Sequence, residues 1–147
     1  MNKKKILPIA LVVLPLVSMM IAFLPNAVKY LYPSGEITYM TYFGMTEGVK
    51  TAVCMPAAVI AIGICIFFSM AYSISGKAFW LKAISGPSFA AALLAVMPFL
   101  TPDEIKAVPN VLVPILMMAE WIVAYAMGKN VETTPIAKDK GRRLSKR

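Results

Sequence analysis

The sequence predicts an all-α membrane protein: a bundle of four transmembrane helices, both termini cytoplasmic, with a short strand or hairpin in the first outer loop. Three observations predict it. Hydrophobic residues make up 59% of the 147 residues, above the roughly 45–50% apolar content of soluble domains. Four apolar stretches reach the ~20 residues that a membrane-spanning helix needs. The Lys and Arg residues, 15 against 7 Asp and Glu, are unevenly distributed between the intervening segments.

The four predicted spans carry few charges, and the last two hold one each, Lys82 and Glu120. Their predicted bounds are 6–24, 52–73, 79–100 and 107–127. The first outer loop would then be 25–51. Because the spans take up most of the chain, we expect one membrane domain over 1–128, followed by a basic, flexible cytoplasmic tail over 129–147.

The orientation follows from the positive charges. With the N-terminus in the cytoplasm, twelve of the fifteen Lys and Arg residues fall in cytoplasmic segments and three in outer ones, as the positive-inside rule requires. The short loops favour a plasma membrane, specifically a bacterial inner membrane. Cleavage of the first span as a signal peptide is an alternative that would leave the other three spans in the same orientation.

The first outer loop is rich in aromatic residues. Pro33-Ser34-Gly35 is typical of a turn, and the alternation from Glu36 to Phe43 favours a strand. One interpretation is a plug packed on the helix ends. The other is a surface that contacts a partner protein, because Tyr and Phe are enriched in interface cores. The candidate residues of this surface are Tyr30, Tyr32, Tyr39, Tyr42 and Phe43.

Small residues recur every fourth position along the second span. Such a ridge lets two membrane helices approach closely, so we expect a close hairpin with the third span, or else a face for a different protein. The ridge consists of Ala57, Ala61, Cys65 and Ser69. Cys54 and Cys65 lie ~16 Å apart along one helix, too far for a disulfide bond.

Glu120 is the one acidic residue within a predicted span. An ionisable group in the membrane is costly and is a functional candidate by default. Three interpretations remain open. It forms a structural ion pair with Lys82, which can extend towards the cytoplasmic side; it is a protonated or hydrogen-bonded packing residue; or it binds a proton, cation or substrate.

The absence of His excludes a Ser-His triad, His-ligated haem and a His-containing zinc site. No Gly-rich phosphate-binding loop is present. No set of nucleophile and base can be assembled, so we predict neither an enzyme nor a bound cofactor or metal.

The leading functional hypothesis is a non-enzymatic accessory or scaffold subunit that acts through protein contacts. The alternative is a small oligomeric transporter or channel that uses Glu120. The expected partners are the lipid bilayer, a membrane protein or a second copy of the chain, and anionic headgroups near the basic tail, without nucleic acid.

Overall fold

The computed structural model describes residues 3–44, 53–100 and 106–133. These residues form four helices and three short strands. In chain order they are α1 (Lys3–Ala22), β1 (Val28–Leu31), β2 (Ile37–Met40), α2 (Cys54–Ser75), α3 (Ala78–Leu100), β3 (Lys106–Pro109) and α4 (Leu112–Thr133). Residues 134–147 of the predicted tail over 129–147 lie outside the described residues.

Three helical segments are long and apolar enough to cross a membrane: Cys54–Ser75, Ala78–Leu100 and Leu112–Asn130. Ile6–Ala22 of α1 is a shorter apolar helix. The mostly helical architecture predicted from hydropathy is therefore present.

The helices pack in a ring, with α2 and α3 forming the most extensive contact, followed by α3 with α4, α1 with α4, and α1 with α2. The close hairpin expected between the second and third spans is present. Its connection turns at Gly76, which has a φ of 63° and donates its N–H to the Tyr72 carbonyl at 2.8 Å. A left-handed glycine at this position is a common way to end a helix. We call this end of the bundle the connection end and the opposite end the sheet end.

Buried positions alternate at intervals of three and four residues along each helix. This spacing keeps one stripe of side chains facing the bundle axis, as in left-handed helix packing. In α3 the stripe contains Leu81, Ile84, Ser88, Ala91, Ala95 and Pro98. In α4 it contains Val113, Met117, Glu120 and Ala124. Glu120 therefore occupies a core position of its helix.

The three strands form an antiparallel sheet in the order β2-β1-β3. Gly35, with a φ of 85°, lies in the turn between β1 and β2, as the Pro33-Ser34-Gly35 signal predicts. Tyr30 pairs with Thr38 on one side and with Ala107 on the other. The predicted hairpin is confirmed, and the third strand joins it from the segment between α3 and α4.

The predicted start of the fourth span, residue 107, is wrong. Lys106–Pro109 is a strand, and α4 begins at Leu112. The Asn110 side-chain oxygen accepts a hydrogen bond from the Leu112 N–H at 3.0 Å, a local bond that favours the start of a helix. At its other end α4 continues through Gly128 to Thr133, so the predicted tail begins within a helix.

Candidate functional site

The Glu120 carboxyl group lies at the centre of the bundle and is fully buried. It reaches across the ring from α4 to α2, where the Ser69 hydroxyl donates a hydrogen bond to its Oε1 at 3.3 Å. Cys65, one turn earlier on α2, is also fully buried, and its thiol lies near this carboxyl group. These three side chains form a polar cluster that links two helices on opposite sides of the ring.

The polar cluster separates two hydrophobic cores. The core towards the sheet end includes Met117 and the buried side chains of Tyr30 and Tyr42. The core towards the connection end consists of Leu11, Leu81, Ile84 and Ala124. Ala124 lies one turn after Glu120 on α4. Glu120 Oε2 has no hydrogen-bond partner among the described residues. Because a buried carboxylate without full hydrogen bonding is costly, this environment favours the neutral carboxylic acid.

Ser69 and Cys65 belong to the small-residue ridge predicted on α2. Cys65, Ser69 and Ala61 are buried, whereas Ala57 is half-buried. The reason is geometric: a step of four residues rotates by about 40° around a helix, so a long ridge drifts away from the interface. The central part of the ridge packs in the core, and two of its members supply partners for Glu120.

Lys82 is exposed on α3 and lines a groove of about 360 Å³ between α3 and α4, together with Lys129 and Tyr125. The contacts shown for the Glu120 carboxyl group are instead made by α2. The predicted Glu120–Lys82 pair stays a prediction.

The five candidate residues of the outer loop divide into two groups. Tyr30 and Tyr42 are fully buried, and the Tyr30 hydroxyl donates to the Gly44 carbonyl at 3.4 Å. Tyr42 donates its backbone N–H to the Ala22 carbonyl at the end of α1, at 3.0 Å. Burial raises the pKa of the Tyr42 phenol, and its hydroxyl has no partner in the described part of the chain. This group is a plug on the helix ends.

The second group faces outward. Tyr39 is 56% exposed and Phe43 is 45% exposed, while Tyr32 is half-buried. Ile37, two residues before Tyr39 on β2, is 48% exposed. In the register of the sheet Tyr39 lies opposite Lys29, which in turn pairs with Val108. The outward face of the sheet therefore combines large apolar side chains with a cation; Phe23, whose ring lies 5.4 Å from that of Phe43, extends it.

Among the described residues, no group of three or more His, Cys, Asp or Glu side chains could hold a metal ion. Among the described residues, the buried polar or charged side chains are Ser18, Ser69, Ser88 and Glu120. The grooves identified on α1–α2 and α3–α4 are not lined by Glu120.

Comparison with known proteins gives no match: no family model, no curated protein and no solved structure matches this chain.

Proposed function

We propose that this chain is an integral membrane protein with four transmembrane helices and both termini in the cytoplasm. Three helices of sufficient length and apolarity support the embedding. Large apolar side chains on their outer surfaces, such as Ile60 and Phe67 on α2 and Phe79 on α3, are each more than 60% exposed and would face lipid. The charge distribution supports the orientation, since twelve of fifteen Lys and Arg residues would lie on one side.

We propose further that the protein is a non-enzymatic accessory or scaffold subunit, and that the outward face of the sheet binds its partner. The observation that carries this proposal is the exposure of Ile37 and Tyr39 on β2, and of Phe43 in the turn just after it, beyond the helix ends. Tyrosines on a rigid backbone are common anchors of protein interfaces. The hydrogen-bonded frame beneath them reduces the ordering that binding would cost.

The alternative, an oligomeric transporter or channel built around Glu120, has weaker support. Glu120 contacts Ser69 and Cys65 inside one bundle, so association of several copies would not bring their carboxyl groups together without repacking the helices. A transport pathway also needs a polar cavity near the middle of the membrane, and the described grooves are not lined by Glu120.

The test is site-specific photocrosslinking in the native membrane. A photoreactive phenylalanine analogue replaces Tyr39, and the control position is Ser34, which is exposed in the turn of the same hairpin. We expect an adduct of one defined mass from position 39 and none from position 34. Adducts to lipid alone, or the same adducts from both positions, would contradict the proposal.

The composition of the complex gives a second measurement with a matched variant. The protein purified in mild detergent should carry a stoichiometric foreign subunit. Tyr39→Lys should weaken its binding by about 30-fold, as loss of an interface anchor does, whereas Ser34→Lys should not. A pure homo-oligomer that is unaffected by Tyr39→Lys would favour the transporter alternative and make Glu120→Gln the next variant to assay.

A further inference from the structure

The groove between α3 and α4 near the connection end has the features of a binding site for an anion. It receives one lysine from each helix, Lys82 and Lys129, and the hydroxyl-bearing side chains Ser85 and Tyr125 also line it. Its remaining lining residues are Leu81, Ala124 and Gly128, so the described residues that line the groove include two lysines and no Asp or Glu. A lysine ammonium has three donors, so it can bind a phosphate oxygen beside its other contacts.

The groove belongs to a longer seam on the outer side of the helix pair. Positions 82, 85, 89 and 96 of α3 follow a three-four-seven spacing, and positions 118, 122, 125 and 129 of α4 follow a four-three-four spacing. Each set therefore lies on one face of its helix. The rings of Phe89 and Trp121 pack 5.6 Å apart on this seam. Beyond them an apolar groove of about 690 Å³ is lined by Val96, Phe99, Val111 and five residues of α4.

The length of the seam matches a lipid chain. From Ser85 in the basic groove to Val96 in the apolar groove is ~16 Å along α3 at 1.5 Å per residue. This is about half of the ~30 Å hydrocarbon core. A headgroup at Lys82 and Lys129 would thus place an acyl chain past Trp121, with its end at the apolar groove.

We propose that this seam is a binding site for an anionic phospholipid of the cytoplasmic leaflet. The phosphate contacts Lys82 and Lys129, the groove hydroxyls donate to the headgroup oxygens, and one acyl chain lies along Phe89 and Trp121. Basic grooves between membrane helices on the cytoplasmic side commonly bind such headgroups. The inference rests on the membrane embedding and orientation proposed above, but not on the protein partner.

Tryptophan quenching tests the site, because Trp80 and Trp121 are the two tryptophans of the chain. Trp80→Phe leaves Trp121 as the single emitter and retains an aromatic ring beside Phe68. The full-length variant is reconstituted in phosphatidylcholine vesicles that contain a small fraction of brominated phosphatidylglycerol or, separately, brominated phosphatidylcholine. We expect stronger quenching by brominated phosphatidylglycerol, with an enrichment of about fivefold per lysine and up to about 25-fold for both.

Charge-matched variants make the test specific. Lys82→Gln with Lys129→Gln should remove the preference for phosphatidylglycerol and leave quenching by phosphatidylcholine unchanged. Lys29→Gln with Lys106→Gln, which removes the same charge at the sheet end, should retain the preference.

Other outcomes overturn the proposal in distinguishable ways. Equal quenching by both lipids in the parent variant would reject the lipid site while leaving the membrane embedding intact. No quenching by either lipid would reject the embedding as well. Loss of the preference on addition of inorganic phosphate, but not of chloride at equal ionic strength, would show that the groove binds the free anion instead of a lipid.

Discussion

The two ends of the bundle are built differently. At the sheet end, three hydrogen-bonded strands cover the helices. Two large side chains enter the core there, Tyr30 from β1 and Tyr42 from the turn after β2. At the connection end, α2 and α3 are joined through Gly76 and Lys77 alone, and a groove with two lysines stays open between α3 and α4. The polar cluster of Glu120, Ser69 and Cys65 lies between these two regions.

This difference indicates how each end is protected. The helix ends at the sheet end are covered by the protein's own backbone and aromatic side chains, so stability there depends on packing. The connection end has the smaller core and presents cations where the headgroups of a membrane would lie. Variants at the two ends should therefore respond to different measurements, unfolding at the sheet end and lipid composition at the connection end.

The largest effect on the free energy of unfolding is expected for a substitution at Tyr42, at the sheet end. Replacing a fully buried aromatic side chain with alanine leaves a cavity and typically costs about 3–5 kcal/mol. Tyr42→Ala should therefore lower the free energy of unfolding by about 3 kcal/mol or more, measured by titration with SDS in mixed micelles. Tyr42→Phe keeps the ring and removes a buried hydroxyl that has no partner among the described residues, so it should be neutral or stabilising. Equal losses in both variants would contradict the plug.

A smaller effect is expected at the polar cluster between the two ends. Hydrogen bonds between membrane helices contribute about 0.6 kcal/mol on average and at most about 1.7 kcal/mol. Ser69→Ala should destabilise the protein by this amount in the same assay. Glu120→Gln, which retains a side-chain oxygen that can accept the Ser69 bond, should cost less than Glu120→Ala.

Lys82→Ala separates the interpretations of Glu120. If the predicted ion pair is structural, Lys82→Ala should destabilise as much as Glu120→Ala. If Ser69 and Cys65 are the partners that matter, Lys82→Ala should leave unfolding unchanged in lipid-free micelles, and the Ser69→Ala and Glu120→Ala effects should be non-additive.

At neutral pH the smallest expected difference is the one between the parent and Tyr42→Phe, and a rise in pH makes it measurable. Burial raises the pKa of Tyr42, so the folded state keeps this proton where a tyrosine of the unfolded chain, with a pKa of about 10, loses it. The unfolded state then binds fewer protons, and stability falls as pH rises above about 10 while the contribution is complete below it. Above this pH, the unfolding free energy of the parent should fall relative to that of Tyr42→Phe by at most about 1.4 kcal/mol per pH unit. Parallel curves would contradict a buried, protonated phenol.

Hydropathy was sufficient to predict the helices, because the length of each apolar stretch alone indicates a helix. The hairpin was also predictable, because Pro33-Ser34-Gly35 and the alternation after Glu36 are local signals. The third strand was not predicted, because Ala107 and Val108 are continuous in sequence with the apolar residues of α4. Two such residues are too few to show the alternation of apolar and polar side chains that indicates a strand. Asn110, a residue that favours the start of a helix, was the available signal for the boundary.

The candidate site was predicted in part. Glu120 was identified because a carboxyl group within an apolar span is unusual, and Ser69 and Cys65 were identified only as packing residues. That these three meet depends on the rotation of α2 relative to α4, which is set by the three-four spacing of the whole core. The division of the loop tyrosines into buried and exposed groups depends likewise on which face of the sheet packs on the helices. The alternation of residues along a single predicted strand does not show which of its two faces that is.

The position of β1 in the middle of the sheet has a consequence for biosynthesis. Its hairpin partner β2 follows almost at once, whereas β3 is translated only after α2 and α3. One edge of β1 therefore waits on the order of ten seconds at ordinary elongation rates for its second partner. During that interval the nascent chain exposes an unpaired strand edge, which is open to pairing with another strand. Pairing of β3 with β1 closes that edge, and α4 follows β3 directly in the chain.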